Sequence, residues 1–142
     1  MYIVSACLAG VNCRYDGRGN KNEKVLNLVK EGKAIIVCPE VLGGLPTPRV
    51  PCEIVINNGE IRVINKDGKD CTKEFKLGAE KTLEIAKILG ADKAILKAKS
   101  PSCGKGRIYD GTFSNKLICG NGITANLLMN NGIQVNTEED FI

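Results

Sequence analysis

Seven cysteines, at positions 7, 13, 38, 52, 71, 103 and 119, stand in a chain that has no histidine and no tryptophan. Without histidine there is no Ser-His-Asp triad, no Cys-His pair and no histidine-ligated zinc. Proton transfer falls to Glu, Asp, Lys, Tyr or Cys. An odd number of thiols, in a chain expected to sit in a reducing compartment, argues against a full disulfide framework. No two of them are spaced C-x-x-C, so neither a zinc ribbon nor a thioredoxin-type site is signalled. A cysteine on its own is most often a small buried hydrophobe. Chemistry requires that a subset converge.

The elements that would bring them together can be read from the apolar pattern. Residues 2–6 (YIVSA) and Ala34–Val37 (AIIV) read as buried strands, with a helix predicted over residues 22–31 between them. The stretch CPEVLGGLPTPRVP, residues 38–51, holds four of the five prolines and two glycines, which predicts an ordered loop rather than a helix. EIVI and EIRVI flank Asn57-Asn58-Gly59, a β-hairpin pattern. A long helix follows over Thr72–Leu89, with Thr72 expected to cap it, then a third buried strand at residues 94–96. The tail predicts a helix over Ile123–Asn130 and a strand at 133–135.

Strand–helix–strand order with apolar strands predicts an α/β fold: a small parallel, Rossmann-like sheet flanked by helices, with an inserted β-hairpin. Ligands in such sheets bind outside the carboxyl ends of the strands. Cys7 directly follows the first strand, Cys38 directly follows the second, and Cys103 lies a few residues past the third. Three thiols distant in sequence are thus expected at one sheet edge. Cys13 is close enough to Cys7 to join them, whereas Cys52, Cys71 and Cys119 are expected to pack.

Convergent thiolates repel one another unless a cation or a cluster neutralises them. Three cysteines leave one position open on a zinc ion, and they also suit an iron–sulfur cluster, whose fourth iron would then be a Lewis acid with an affinity for sulfur. Glu40, two residues past Cys38, is a candidate general base or an ordinary loop carboxylate. Ser100 and Ser102 can orient a substrate or close a turn. Arg49, set among prolines, is a candidate for meeting a phosphate or carbonyl, and Gly120, Asn121 and Gly122 precede a helix where free N–H groups can hold an anion.

The length, 142 residues, fits one domain over residues 1–142. A net charge of +4 admits an anionic small molecule, but no arginine-rich or basic–aromatic stretch supports a dedicated nucleic-acid domain. No apolar run approaches the roughly 18 residues of a membrane span, and the amino terminus lacks the basic region of a secretory signal. The expected location is the cytoplasm, with no membrane partner.

Four stretches together carry a resemblance: SACLAGVNCRYDG (5–17), CPEVLGGLPTPR (38–49), KSPSCG (99–104), and YDGTFS with GNGITANLL (109–128). They are similar to the thiouracil desulfidase family, over residues 3–138. The resemblance implies a [4Fe-4S] enzyme that removes sulfur from a thiolated pyrimidine without net redox change. By motif, it carries the three cluster ligands onto Cys7, Cys38 and Cys103, leaving one iron open. It makes Glu40 the acidic catalytic residue and Ser100 a serine near the substrate. A chain of this length lacks room for the extra domain with which some relatives act on transfer RNA, so a free base or nucleotide is the expected substrate. An iron–sulfur or sulfur carrier without turnover, and a structural zinc module, are the competing readings.

Overall fold

In a computed structural model, which describes residues 1–140, the apolar runs pair into a four-stranded parallel sheet. Its strands are β1 (Tyr2–Ser5), β2 (Ala34–Val37), β5 (Lys93–Leu96) and β8 (Gln134–Thr137), in the order β2-β1-β5-β8. In β1, Ile3 packs on one face with Ala94, Leu96 and Val135, while Val4 packs on the other with Ile95 and Val25. Both faces are covered, which is why β1 reads as a continuous apolar run rather than an alternating one.

Helix α1 (Glu23–Lys30) covers the Val4 face through Val25, Leu28 and Val29. The Asn22 side chain starts it by accepting from the amides of Lys24 and Val25, at 3.1 and 3.2 Å. On the other face lie α3 (Thr72–Leu89) and α4 (Ile123–Asn130), which contribute Ala86, Ala125 and Leu128. The hairpin of β3 (Cys52–Asn57) and β4 (Glu60–Asn65) packs on α3 around Ile54, Val63 and Phe75. No helix among the described residues is long and apolar enough to cross a membrane.

Four local expectations are corrected. Ala34–Val37, expected to be a buried strand, is the edge strand β2, and its Ile35 and Ile36 are exposed because no further strand or helix among the described residues covers them. The proline-rich stretch is not all loop: Pro39–Leu42 forms a short helix, α2, with Cys38 at its N-cap. Pro39 occupies the first turn, where a missing N–H breaks no hydrogen bond and the fixed φ suits a helix. Thr72 is not the cap of α3 but its first residue; its hydroxyl accepts from Val63 N at 2.8 Å, and Asp70 Oδ1 accepts from Thr72 N at 2.9 Å. Cys119 is exposed rather than packed, in a second hairpin formed by β6 (Arg107–Tyr109) and β7 (Leu117–Cys119).

Helices α2 and α3 touch backbone to backbone. A Cβ at Gly78 would lie 1.9 Å from the Pro39 carbonyl oxygen, and one at Gly43 would lie 2.0 Å from that of Glu74. Reciprocal glycines therefore set the depth at which α2 sits, and α2 carries Glu40.

Candidate active site

Strand β1 leads through α1 to β2 on one side, and the chain then returns to β5 on the other side of β1. The order reverses at β1, and a crevice opens at the carboxyl ends of β1, β2 and β5. It is a cavity of about 450 Å³. The parallel register pairs Ser5 with Val37, which places Cys7, two residues on, beside Cys38, one residue on. Cys7, Cys13, Cys38 and Cys103 all line the cavity, together with Glu40, Arg49 and Ser100.

Each thiol is held by its own element. Cys7 sits in a 3-10 turn, Ala6–Ala9, and its carbonyl accepts from Asn20 N at 2.8 Å and Gly10 N at 3.1 Å. The Cys38 thiol points at the Cys13 carbonyl, 3.8 Å away. Cys103 receives a hydrogen bond from Ser5 Oγ, 3.5 Å from its sulfur. The same hydroxyl accepts from Lys97 N at 2.9 Å, tying the ends of β1 and β5 together.

Charge on the sulfurs of Cys13, Cys38 and Cys103 is disfavoured. Burial pushes the Cys103 thiol up to about 12, against the hydrogen bond from Ser5. Cys38 is held well above the ordinary thiol range by its hydrogen bond with the Cys13 thiol and by burial. For Cys13, the hydrogen bond with Cys38 acts downward, but that with Cys7 together with burial leaves its thiol raised. Thiols so placed stay protonated near neutrality unless a cation displaces their protons. No three His, Cys, Asp or Glu donors among the described residues are grouped to hold a single metal ion. The sulfur donors at the cavity are of the type that iron–sulfur clusters take, and a cavity of this volume admits a polynuclear group.

Glu40 lies beside the thiols, and its Oε2 accepts from both Nε (2.7 Å) and Nη2 of Arg49. The remaining guanidinium nitrogen donates to Pro46 O and Thr47 Oγ1, both at 3.2 Å. Arg49 therefore lines the cavity with every nitrogen engaged inside the protein. Its guanidinium fixes the Glu40 carboxylate in place. Among the described residues Glu40 Oε1 accepts no protein hydrogen bond, so that oxygen is available to a proton in the cavity.

Ser100 Oγ accepts from Ser102 N and Cys103 N, both at 3.0 Å. With its lone pairs turned to the backbone, its O–H remains to donate into the cavity. Ser102 does not reach the cavity: it is buried, with its hydroxyl 2.8 Å from that of Thr124. Gly120, Asn121 and Gly122 border a different cavity, next to β3 and β4. The amides at the start of α4 are not free for an anion, because Ile123 N donates to Pro101 O and Thr124 N to Ser102 O, each at 2.9 Å. Gly122 instead permits close packing, since a Cβ there would lie 2.4 Å from Ser102 carbonyl atoms. The helix start braces the loop that presents Cys103.

Sequence reasoning missed Tyr15, Tyr109 and Phe113, which also line the cavity. Their signal lay in the quoted motifs RYDG and YDGTF, yet nothing local shows that the two segments meet. Cys52 was expected only to pack; it borders the cavity as well, and burial with the neighbouring Cys71 thiol pushes it up to about 12.

A parallel α/β sheet with clustered thiols and a fixed carboxylate at the carboxyl ends of its strands defines the class: an α/β protein with a cysteine-lined small-molecule cavity. The chain belongs to the 2-thiouracil desulfurase family, whose model matches residues 2–140. It is 47% identical over 147 positions to the uncharacterized protein YbbK of Bacillus subtilis (strain 168), covering 99% of this chain and 97% of that protein. A solved structure of a [4Fe-4S]-dependent thiouracil desulfidase, TudS, superposes with a TM-score of 0.90 at 46% identity, covering 98% of this chain and 91% of that one.

Proposed function

We propose that this protein is a [4Fe-4S]-dependent desulfidase that converts a thiolated pyrimidine, as base or nucleotide, into the oxo-pyrimidine and sulfide without net redox change. The observation that carries the reading is the meeting of Cys7, Cys38 and Cys103 with Glu40 in one cavity. Family membership and the likeness to TudS support it. Residues 1–142 form one desulfidase domain that acts in the cytoplasm on a small molecule.

Cys7, Cys38 and Cys103 would hold the cluster. When bound, it supplies a Lewis-acidic iron, free of protein thiolate, with an affinity for the substrate's sulfur. Every other step falls to the chain. Arg49 holds the Glu40 carboxylate by two hydrogen bonds to one oxygen, and the second oxygen takes a proton from the water that attacks the thiocarbonyl carbon. The Ser100 hydroxyl donates to a ring carbonyl and fixes the ring in the cavity, while its oxygen holds the Cys103 amide in place.

Anaerobic reconstitution followed by incubation with 2-thiouracil, 4-thiouracil and 4-thiouridine monophosphate tests the reading. A brown protein with about four irons per chain and sulfide release over many turnovers is the expected result. Cys7→Ser, Cys38→Ser and Cys103→Ser should each lose iron, while Cys13→Ser keeps it. A single stoichiometric sulfur transfer would make the protein a carrier. Stoichiometric zinc without colour would make it a structural metal module.

A further inference from the structure

Four non-glycine residues among those described have a left-handed backbone, and three of them, Lys99, Phe113 and Asn115, line this one cavity. Asparagine tolerates that conformation, but phenylalanine at a φ of 56° does so against the clash of its Cβ with the following carbonyl. The strap that joins β6 to β7 spans residues 110–116. Its turn is already served by Gly111, at a φ of 94° and packed so closely that a Cβ would lie 2.8 Å from Ile54 O. Strain of this kind persists where the surroundings over-determine it.

The surroundings do so through Glu53. One carboxylate oxygen of this β3 residue accepts from Gly111 N at 2.9 Å and from Phe113 N at 3.1 Å. The strap is closed on itself by Asp110, whose amide donates to Lys116 O at 2.9 Å and whose carboxylate accepts from Thr112 N at 2.9 Å. Two hydrogen bonds to one Glu53 oxygen thus fix the backbone at Phe113, a half-buried residue of the cavity wall. The chain has six phenylalanines and tyrosines and no tryptophan, yet three of the six, Tyr15, Tyr109 and Phe113, line this cavity.

We propose that Phe113 is a substrate-contacting residue on which the flat face of the pyrimidine ring stacks, and that Glu53 is the positioning residue that holds it there. The proposal rests on the reading of the cavity as a pyrimidine site. Stacking requires a planar ring and is indifferent to sulfur, so the product pyrimidine is held by the same wall and a saturated ring is not.

Equilibrium dialysis of the anaerobically prepared holoprotein with radiolabelled uracil and 5,6-dihydrouracil tests this, alongside Phe113→Leu, Phe113→Tyr and Glu53→Gln. Phe113→Leu should weaken uracil binding by about tenfold and raise KM for 2-thiouracil with little change in kcat, while dihydrouracil binding stays weak and unchanged. Phe113→Tyr should restore both. Glu53→Gln should speed hydrogen exchange at the Gly111 and Phe113 amides and weaken uracil binding in parallel. Uracil binding by Phe113→Leu equal to that of the wild type would overturn the proposal. So would equal losses in Phe113→Leu and Phe113→Tyr, or a wild type that does not distinguish uracil from dihydrouracil. Sulfide release measured on the same samples keeps the two readings apart. Turnover with normal uracil binding in Phe113→Leu removes the wall and spares the desulfidase, whereas Phe113-dependent uracil binding without turnover does the reverse.

Discussion

A Glu40→Gln variant separates the chemistry of the carboxylate from its place in the fold. In the wild type, Oε2 takes two donors from Arg49, and the two side chains keep only 15% and 7% of their exposure, Glu40 and Arg49 respectively. Glutamine has the same shape, and its amide oxygen accepts the same two donors. What is lost structurally is the charge assistance of two hydrogen bonds and the counter-charge of the buried Arg49 guanidinium, about 2–4 kcal/mol together. For a chain of this size that lowers Tm by roughly 6–12 °C. An amide cannot take a proton from water, however, and loss of a general base costs roughly 10²- to 10⁴-fold in rate, about 3–5 kcal/mol of barrier. The variant should therefore keep its iron and its fold and lose at least about a hundredfold in kcat. The assay follows sulfide release and thiouracil absorbance anaerobically, with iron content and a thermal melt on the same sample. More than about a tenth of wild-type turnover would remove Glu40 as the base. Loss of iron or of folding would instead make its role structural.

Three further outcomes follow from the packing and the thiols. Gly78→Ala places a Cβ 1.9 Å from Pro39 O, so α2 must move off α3. We expect about 1–3 kcal/mol of destabilisation in a thermal melt, with lowered kcat because Glu40 moves with α2. Ser100→Ala leaves the Ser102 and Cys103 amides without their acceptor; about 1–3 kcal/mol of stability and part of the bound iron should be lost, with Ser100→Thr recovering both by urea titration and iron assay. In the metal-free protein, Cys103 is raised from 9.0 to about 12 by burial, so the folded state favours its protonated form. That contribution is complete below pH 9 and is lost as pH climbs from 9 to about 12, up to about 4 kcal/mol at 1.36 kcal/mol per pH unit. Urea midpoints at alkaline pH should fall steeply for the wild type and less for Cys103→Ala; equal slopes would contradict the burial.

The sheet was legible because its central strands β1 and β5 are buried on both faces, and runs such as YIVS and AIL have few other homes in a chain of this size, whereas AIIV, just as apolar, forms the edge strand and leaves Ile35 and Ile36 exposed. The first hairpin was legible because Asn58 and Gly59 supply the two positive φ values its turn requires. The second was not: Arg107–Tyr109 and Leu117–Cys119 are three residues each, and a seven-residue strap between them has no short-turn signature. Helix α2 was hidden for a related reason. A dense run of proline and glycine reads as a breaker, although Pro39 sits where a helix accepts it and Gly43 serves close packing against α3.

By itself, the sequence determined the chemistry that is possible here. Absent histidine left sulfur as the soft donor and carboxylate as the candidate base. The positions of Cys7, Cys38 and Cys103 just past three apolar runs fixed their common sheet edge, since parallel strands bring their carboxyl ends together. Tertiary structure alone decided which neighbours complete the site. Arg49 turned inward to Glu40, the start of α4 was spent bracing the Cys103 loop, and Phe113 was carried to the wall by a carboxylate sixty residues away in sequence. Local pattern reports which face of an element is buried, but a hydrogen bond between distant segments depends on where whole elements dock, and that is settled only when the chain closes on itself.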